Sequence, residues 1–198
     1  MKDTCIIVLA AGNSSRMGSP KQLLVYQEKT FLERIIGTAL EIFDPNKIVL
    51  VLGARHHEIS SVIKNKNIQI VINENWESGM ASSIHAGMKT MSDIFPEMKR
   101  CFISVCDQPY LTRDLFVEML QLQETSSKEI VVAKYADTIG VPALFSKKYF
   151  KPLRELTGEQ GAKKIIQQNM SDVECFEFEQ GAVDIDTPSD YNHLKTKP

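Results

Sequence analysis

A short apolar run, Cys5-Ile6-Ile7-Val8-Leu9, opens directly into a loop of small residues, Ala10-Ala11-Gly12-Asn13-Ser14-Ser15, which continues through Arg16 and Gly18 to Lys21. The run reads as a buried strand. A strand that ends in small residues exposes backbone N–H groups, and concave arrays of such groups bind anions, phosphates above all. Arg16 and Lys21 add two positive charges to the same loop. The expected ligand is a polyphosphate, and a nucleotide in particular. Two commoner phosphate loops are excluded by spacing. No Gly-x4-Gly-Lys-Ser/Thr string occurs, and Gly12 and Gly18 do not make Gly-x-Gly-x-x-Gly. The competing reading is a solvated surface loop; charge at both Arg16 and Lys21, directly after the first strand, weighs against it.

Further apolar runs alternate with segments of helical spacing. Thr30-Phe31-Leu32-Glu33 is a capping box, and Leu32, Ile35, Ile36, Ala39, Leu40 and Phe43 follow it on one helix face. Strands are expected at 47–53, 68–72, 100–105 and 129–133, and helices at 55–64, 80–91 and 112–122, the last capped by Thr112. The polar segment 125–128 reads as a loop. This alternation implies an α/β fold, a mostly parallel sheet with helices on both faces. In such sheets ligands bind beyond the carboxyl ends of the strands. The Gly12 loop, the 73–79 loop and the Asp107 loop all leave carboxyl ends, so they should converge on one edge.

A chain of 198 residues without repeats or a linker suits a single domain, 1–198. The net charge of −2 provides no basic field for nucleic acid. No apolar stretch approaches the roughly 20 residues of a membrane span, and no signal pattern precedes the first strand. Cys5, Cys101, Cys106 and Cys175 form no CxxC pair and read as free thiols of a reducing cytoplasm.

Asp107 ends the fourth strand, in Cys106-Asp107-Gln108-Pro109. It could hold a metal at the ligand edge, or start a turn before Pro109. Asp186, in Asp184-Ile185-Asp186-Thr187-Pro188, precedes an expected helix start, with Thr187 as cap and Pro188 at the first helical position. Alone it reads as capping; paired with Asp107 it fits a two-carboxylate magnesium site. Asn75, Gly79 and Ser83 follow the third strand, where an amide could read a base edge and small groups leave N–H donors free, or simply cap a helix. The four histidines form no metal pair and no catalytic set.

Together these motifs resemble the molybdenum cofactor cytidylyltransferase group of the MobA-like nucleotidyltransferases. The likeness rests on L-A-A-G-x-S-x-R-M-G-x-x-K, on N-x-x-W-x-x-G-M-x-x-S-I, on D-Q-P, on Gly140-Val141-Pro142 and on Leu156 to Ala162, and it runs from Leu9 to Tyr191. It implies a three-layer Rossmann-like fold of the nucleotide-diphospho-sugar transferase type. It implies transfer of CMP from CTP to the terminal phosphate of molybdopterin, with release of pyrophosphate. Leu9, Ala10, Ala11, Gly12, Arg16 and Lys21 would bind the nucleotide, with Asn75, Gly79 and Ser83 near base and ribose. Asp107 and Asp186 would hold Mg2+. Gly140, Val141, Pro142, Gly158 and Gly161 would shape the acceptor side. Guanylyl-transferring relatives resemble L-A-G-G, so the Ala11 methyl would crowd a purine and favour CTP. A molybdoenzyme or its chaperone would receive the product. Val141 stands where the group often carries a polar residue, and Glu159 where aspartate is commoner. A polyol-phosphate or sugar-phosphate acceptor, and a non-catalytic cofactor carrier, are the alternatives.

Overall fold

The apolar run Cys5–Leu9 lies inside β1 (Thr4–Ala10), whose seven residues are all buried. In the computed structural model, which describes residues 2–63 and 67–196, the chain continues through a small hairpin, β2 (Val25–Tyr26) and β3 (Lys29–Thr30), into α1 (Phe31–Leu40). There follow β4 (Ile48–Leu52), α2 (His56–Ser61), β5 (Gln69–Ile72), α3 (Met80–Ile94), β6 (Arg100–Val105) and α4 (Arg113–Ser126). The last part comprises β7 (Ile130–Tyr135), β8 (Thr138–Ser146), α5 (Phe150–Arg154), α6 (Lys163–Gln168), β9 (Val173–Glu177) and α7 (Pro188–Thr196).

Seven strands form one sheet in the order β5-β4-β1-β6-β8-β7-β9. All neighbours are parallel except β8, which runs antiparallel to both β6 and β7. The continuous apolar character of β1 follows from its two faces. Cys5, Ile7 and Leu9 join one core with Ala81, Ile84 and Met88 of α3, Leu153 of α5 and Ile166 of α6. Ile6, Val8 and Ala10 join the other with Ile35 of α1, Ile59 of α2 and Phe116 of α4. Side chains alternate across a strand, so a strand between two helix layers must be apolar at every position.

The caps predicted at Thr30 and Thr112 form. Thr30 Oγ1 accepts from the Glu33 N–H at 3.1 Å while the Glu33 carboxylate accepts from the Thr30 N–H at 3.0 Å. Thr112 Oγ1 accepts from the Leu115 N–H at 3.3 Å. The segment expected as a loop at 125–128 is shorter: α4 runs through Ser126, because the Thr125 hydroxyl donates back to the Gln121 and Leu122 carbonyls and satisfies itself inside the helix. The helix expected over 55–64 is α2, and Lys64 lies outside the described residues.

Four strands are not among those expected: the small hairpin β2–β3, and β8 and β9 of the main sheet. The run Gly140-Val141-Pro142 argues against a strand, since proline cannot donate to a ladder. The sheet accommodates it with a bulge. Val132 pairs with Ala143 but the next residue, Ala133, pairs with Gly140, which leaves Val141 and Pro142 as excess on β8. On the other side the β6 ladder stops at Ile103↔Ala143, so no bond to Pro142 is needed.

A third, smaller core of Phe31, Ile185 and Leu194, with Tyr110 and Tyr191 against it, pins the 183–186 segment and α7 onto α1. Each such fully buried side chain contributes about 1.5–3 kcal/mol. No helix among the described residues is long and apolar enough to cross a membrane.

Candidate active site

The chain runs from β1 outward to β4 and β5, then returns to the other side of β1 as β6. That reversal is a topological switch point, and it opens a crevice beyond the carboxyl ends of β1 and β6. A cavity of about 380 Å³ lies there, lined by Leu9–Gly12 from the end of β1, Val105–Asp107 from the end of β6, and Gly79, Met80 and Ser83 from the start of α3. Lys21 lines it too. The three loops that leave carboxyl ends do converge.

The loop after β1 is held from below by Gln22, which is 1 % exposed. Its Nε2 donates to the carbonyls of Ala10 at 2.9 Å and Gly12 at 3.2 Å, and its Oε1 accepts from the Ser14 hydroxyl at 3.4 Å. Ser14 Oγ in turn accepts from the Lys21 N–H at 3.0 Å. Carbonyls that would otherwise point into the loop are thereby occupied. Nothing in the spacing of Gln22 marks it as a loop brace.

Lys21 reaches across to the two distant carboxylates. Its ammonium is bonded to Asp107 Oδ2, and donates to Asp186 Oδ1 at 3.1 Å. Arg16 donates to the other Asp186 oxygen at 2.7 Å. Burial of the Lys21 ammonium opposes its charge, but Asp107 and then Asp186 hold its pKa well above the ordinary lysine range. Burial likewise opposes ionisation of Asp186, yet Lys21 and Arg16 keep its carboxyl below the usual carboxylate range. Asp107 Oδ1 is buried and has no hydrogen-bond partner among the described residues. The segment bearing Asp186 is set by the predicted cap: Asp190 accepts from the Asp186 and Thr187 N–H groups at 3.2 and 2.8 Å, and the Asp190 N–H donates to Thr187 Oγ1 at 3.2 Å.

Asp184, two residues away, was given no role by the sequence. Burial of its carboxyl, then the charges of Asp107 and Asp186, push its pKa up to about 6. Cys106 lines the cavity as a neutral thiol, pushed up to about 12 by burial and by Asp107 beside it, so it is no nucleophile.

The α3 wall depends on Gly79. Its φ is +95°, and a Cβ there would lie 2.7 Å from the Gly158 carbonyl oxygen. That close approach lets Gly158 accept from the Ala81 N–H at 3.3 Å, so the 157–161 turn sits on the start of α3 and brings Glu159 to the cavity. Gly161 packs on Met80. Asn75 and Gly158 line a separate hollow of about 800 Å³ on the outer side of α3, not the cavity itself. Asn73 lines that outer hollow as well and touches the cavity wall only through Ser83: its Nδ2 donates to Ser82 Oγ at 2.8 Å and to Ser83 Oγ at 3.0 Å. Ala11 and Trp76 both line the cavity, and Gly53 lies behind them, where a Cβ would meet the Ala11 methyl at 2.9 Å and Trp76 Cβ at 2.7 Å. Gly140, Val141 and Pro142 lie in the β8 bulge outside the cavity lining and approach Asp107 through Gln108, which bonds the Val141 carbonyl.

The model of the MobA-like NTP transferase domain matches residues 6–173. The chain belongs to this family. Among relatives of the family, the molybdenum cofactor cytidylyltransferase of Escherichia coli K12 is 29% identical over 194 residues, 96% of this chain and 95% of that one. A probable molybdenum cofactor guanylyltransferase of Peptoclostridium acidaminophilum is 33% identical over 122 residues, 62% of this chain and 50% of its own length. A solved protein of Mycobacterium tuberculosis H37Rv superposes with a TM-score of 0.84 at 28% identity, covering 98% of both chains. The same protein in complex with manganese gives 0.80 at 26% identity, covering 99% of this chain and 100% of that one. The MobA-like fold expected from the motifs, a mostly parallel sheet flanked by helices, is the fold observed.

Proposed function

We propose that this MobA-like nucleotidyltransferase transfers CMP from CTP to the terminal phosphate of molybdopterin and releases pyrophosphate. The observation that carries the reading is the Lys21 ammonium between Asp107 and Asp186 at the mouth of the cavity, a preformed set of opposed charges at the switch point. Similarity to the cytidylyltransferase over nearly the whole chain supports the choice of substrates.

The chemistry suits residues that bind rather than residues that shuttle protons. A phosphate monoester has its second pKa near 6 and is already a dianion for the most part at neutral pH. Its oxygen attacks the α-phosphorus, the bond from that phosphorus to the bridging β-oxygen breaks, and pyrophosphate departs with the electron pair. No general base is required. Lys21 and Arg16 would leave their carboxylates to neutralise the phosphates, and the braced Ala10–Gly12 loop would offer its N–H groups.

A divalent cation fits the same place. Asp107 presents a buried oxygen without a partner, Asp186 presents a second carboxylate, and hard oxygen donors suit magnesium or manganese. Such a cation, held by Asp107 and Asp186, would supply charge neutralisation on the triphosphate.

The Ala11 methyl, which lines the cavity beside Trp76, would crowd a purine and so favours a pyrimidine. The free, mostly buried cysteines support a cytoplasmic setting, and a molybdoenzyme or its chaperone would take the product. The test is a matrix of pyrophosphate release with CTP, GTP, ATP and UTP against molybdopterin (with and without molybdenum), a polyol phosphate and a sugar phosphate. Release with CTP and molybdopterin above all other pairs is expected. Faster release with a polyol or sugar phosphate would replace the acceptor; nucleotide binding without release for any pair would make the chain a carrier.

A further inference from the structure

Gln108 follows Asp107 directly and is 5 % exposed. Its Nε2 donates to the carbonyl of Val141 at 3.2 Å and to the carbonyl of Gly181 at 3.2 Å. Val141 belongs to the excess residues of the β8 bulge, and Gly181 lies in the turn that leads to Asp184 and Asp186. One carboxamide therefore joins three separate parts of the chain: the end of β6, the bulge, and the segment that delivers the second carboxylate. The main chain adds a long tie, the Ile185 N–H to the Asp107 carbonyl at 3.4 Å.

The arrangement is costly as mere packing. Gln108 Oε1 is buried with no hydrogen-bond partner among the described residues, a state that stability alone would select against. Departures of this kind concentrate at functional sites. We propose that Gln108 is a positioning residue that sets the separation of the Asp107 and Asp186 carboxylates by tying the β8 bulge and the Gly181 turn to the end of β6. This rests on the reading of those carboxylates as holders of a divalent cation. Without the carboxamide, the Val141 and Gly181 carbonyls lose their donor and the 181–186 segment loses its anchor beside Asp107. Partners one step behind metal ligands act through such orientation.

The test is a titration of the full chain with Mn2+ alone, free Mn2+ being read by electron paramagnetic resonance, for the wild type, Gln108→Leu, Asp186→Asn and the double variant. Gln108→Leu is expected to weaken Mn2+ binding by about tenfold to a hundredfold. In the Asp186→Asn background the same change should add less than about twofold, the scatter of independent sites. Gln108→Met keeps nearly the same volume without charge and offers no donor to either carbonyl; it should reproduce the loss, and it serves if the leucine variant does not fold. Full multiplication of the two single effects would overturn the proposal, because Gln108 would then act without Asp186. So would wild-type affinity in a folded Gln108 variant while Asp186→Asn is weakened. Unchanged affinity in Asp186→Asn would overturn the carboxylate-pair reading itself and this proposal with it.

Discussion

Replacing Lys21 by methionine removes the cation that lies between Asp107 and Asp186 while keeping the unbranched apolar stem of the side chain. The Lys21 and Asp107 side chains are only 17 % and 15 % exposed, so the change strands a carboxylate with little water to solvate it. Removing one partner of a buried pair costs about 3–5 kcal/mol. Here the lower end applies, about 3 kcal/mol, because Asp186 keeps Arg16 and Asp107 retains some solvent. For a chain of this size the melting temperature should fall by about 6–12 °C. The same variant has lost the competitor for the carboxylates, so Mn2+ without nucleotide should bind it more tightly than the wild type. At a hundred times its dissociation constant, Mn2+ would restore about 2.7 kcal/mol, nearly the whole loss. Melting curves near neutral pH, with and without Mn2+, read both halves, and pyrophosphate release should drop about a hundredfold or more for want of a phosphate-binding cation. Wild-type melting in Lys21→Met, or a melting temperature that Mn2+ does not move, would refute the idea that Lys21 stands in the cation's place.

Asp107→Ala should abolish pyrophosphate release while costing less in folding than in turnover, and near-normal release would remove Asp107 from the metal role. Asp184→Asn tests the raised carboxyl pKa: the folded chain holds a proton up to about 6 that the unfolded chain, at the ordinary 3.8, has released, so wild-type stability falls as pH rises through that window. The asparagine variant should therefore melt about 2–4 °C higher above pH 6, from about 1 kcal/mol after allowance for solvent screening, with the gain gone near pH 4; equal gains at both would exclude a charge effect. Gln22→Leu leaves the Ala10 and Gly12 carbonyls without their donor, and should cost about 2 kcal/mol in urea unfolding and weaken CTP binding measured by calorimetry.

The layers were legible because each of β1, β4 and β6 is apolar on both faces, and the caps because Thr30 with Glu33, and Thr187 before Pro188, are local signals. Convergence of the Gly12, 73–79 and Asp107 loops followed from the topology alone. The failures have local causes. Gly140-Val141-Pro142 disguised β8, since the bulge that absorbs the proline is visible only once β7 lies beside it. Two asparagines stand near the end of β5, and the spacing could not say that both line the outer hollow while only Asn73 also bonds Ser83 of the cavity wall. The pairing of Lys21 with Asp107 and Asp186 spans 86 and 165 residues, and no periodicity reports it. The braces Gln22 and Gln108 are buried amides, a residue type that sequence reasoning assigns to the surface.

The most direct measurement follows the α-phosphate. With CTP labelled at that phosphorus, and molybdopterin and Mg2+ present, the label should move into a CMP–molybdopterin conjugate while unlabelled pyrophosphate is released in equal amount. Label recovered only in CTP or in free CMP, with the nucleotide bound by the protein, would contradict nucleotidyl transfer by this site.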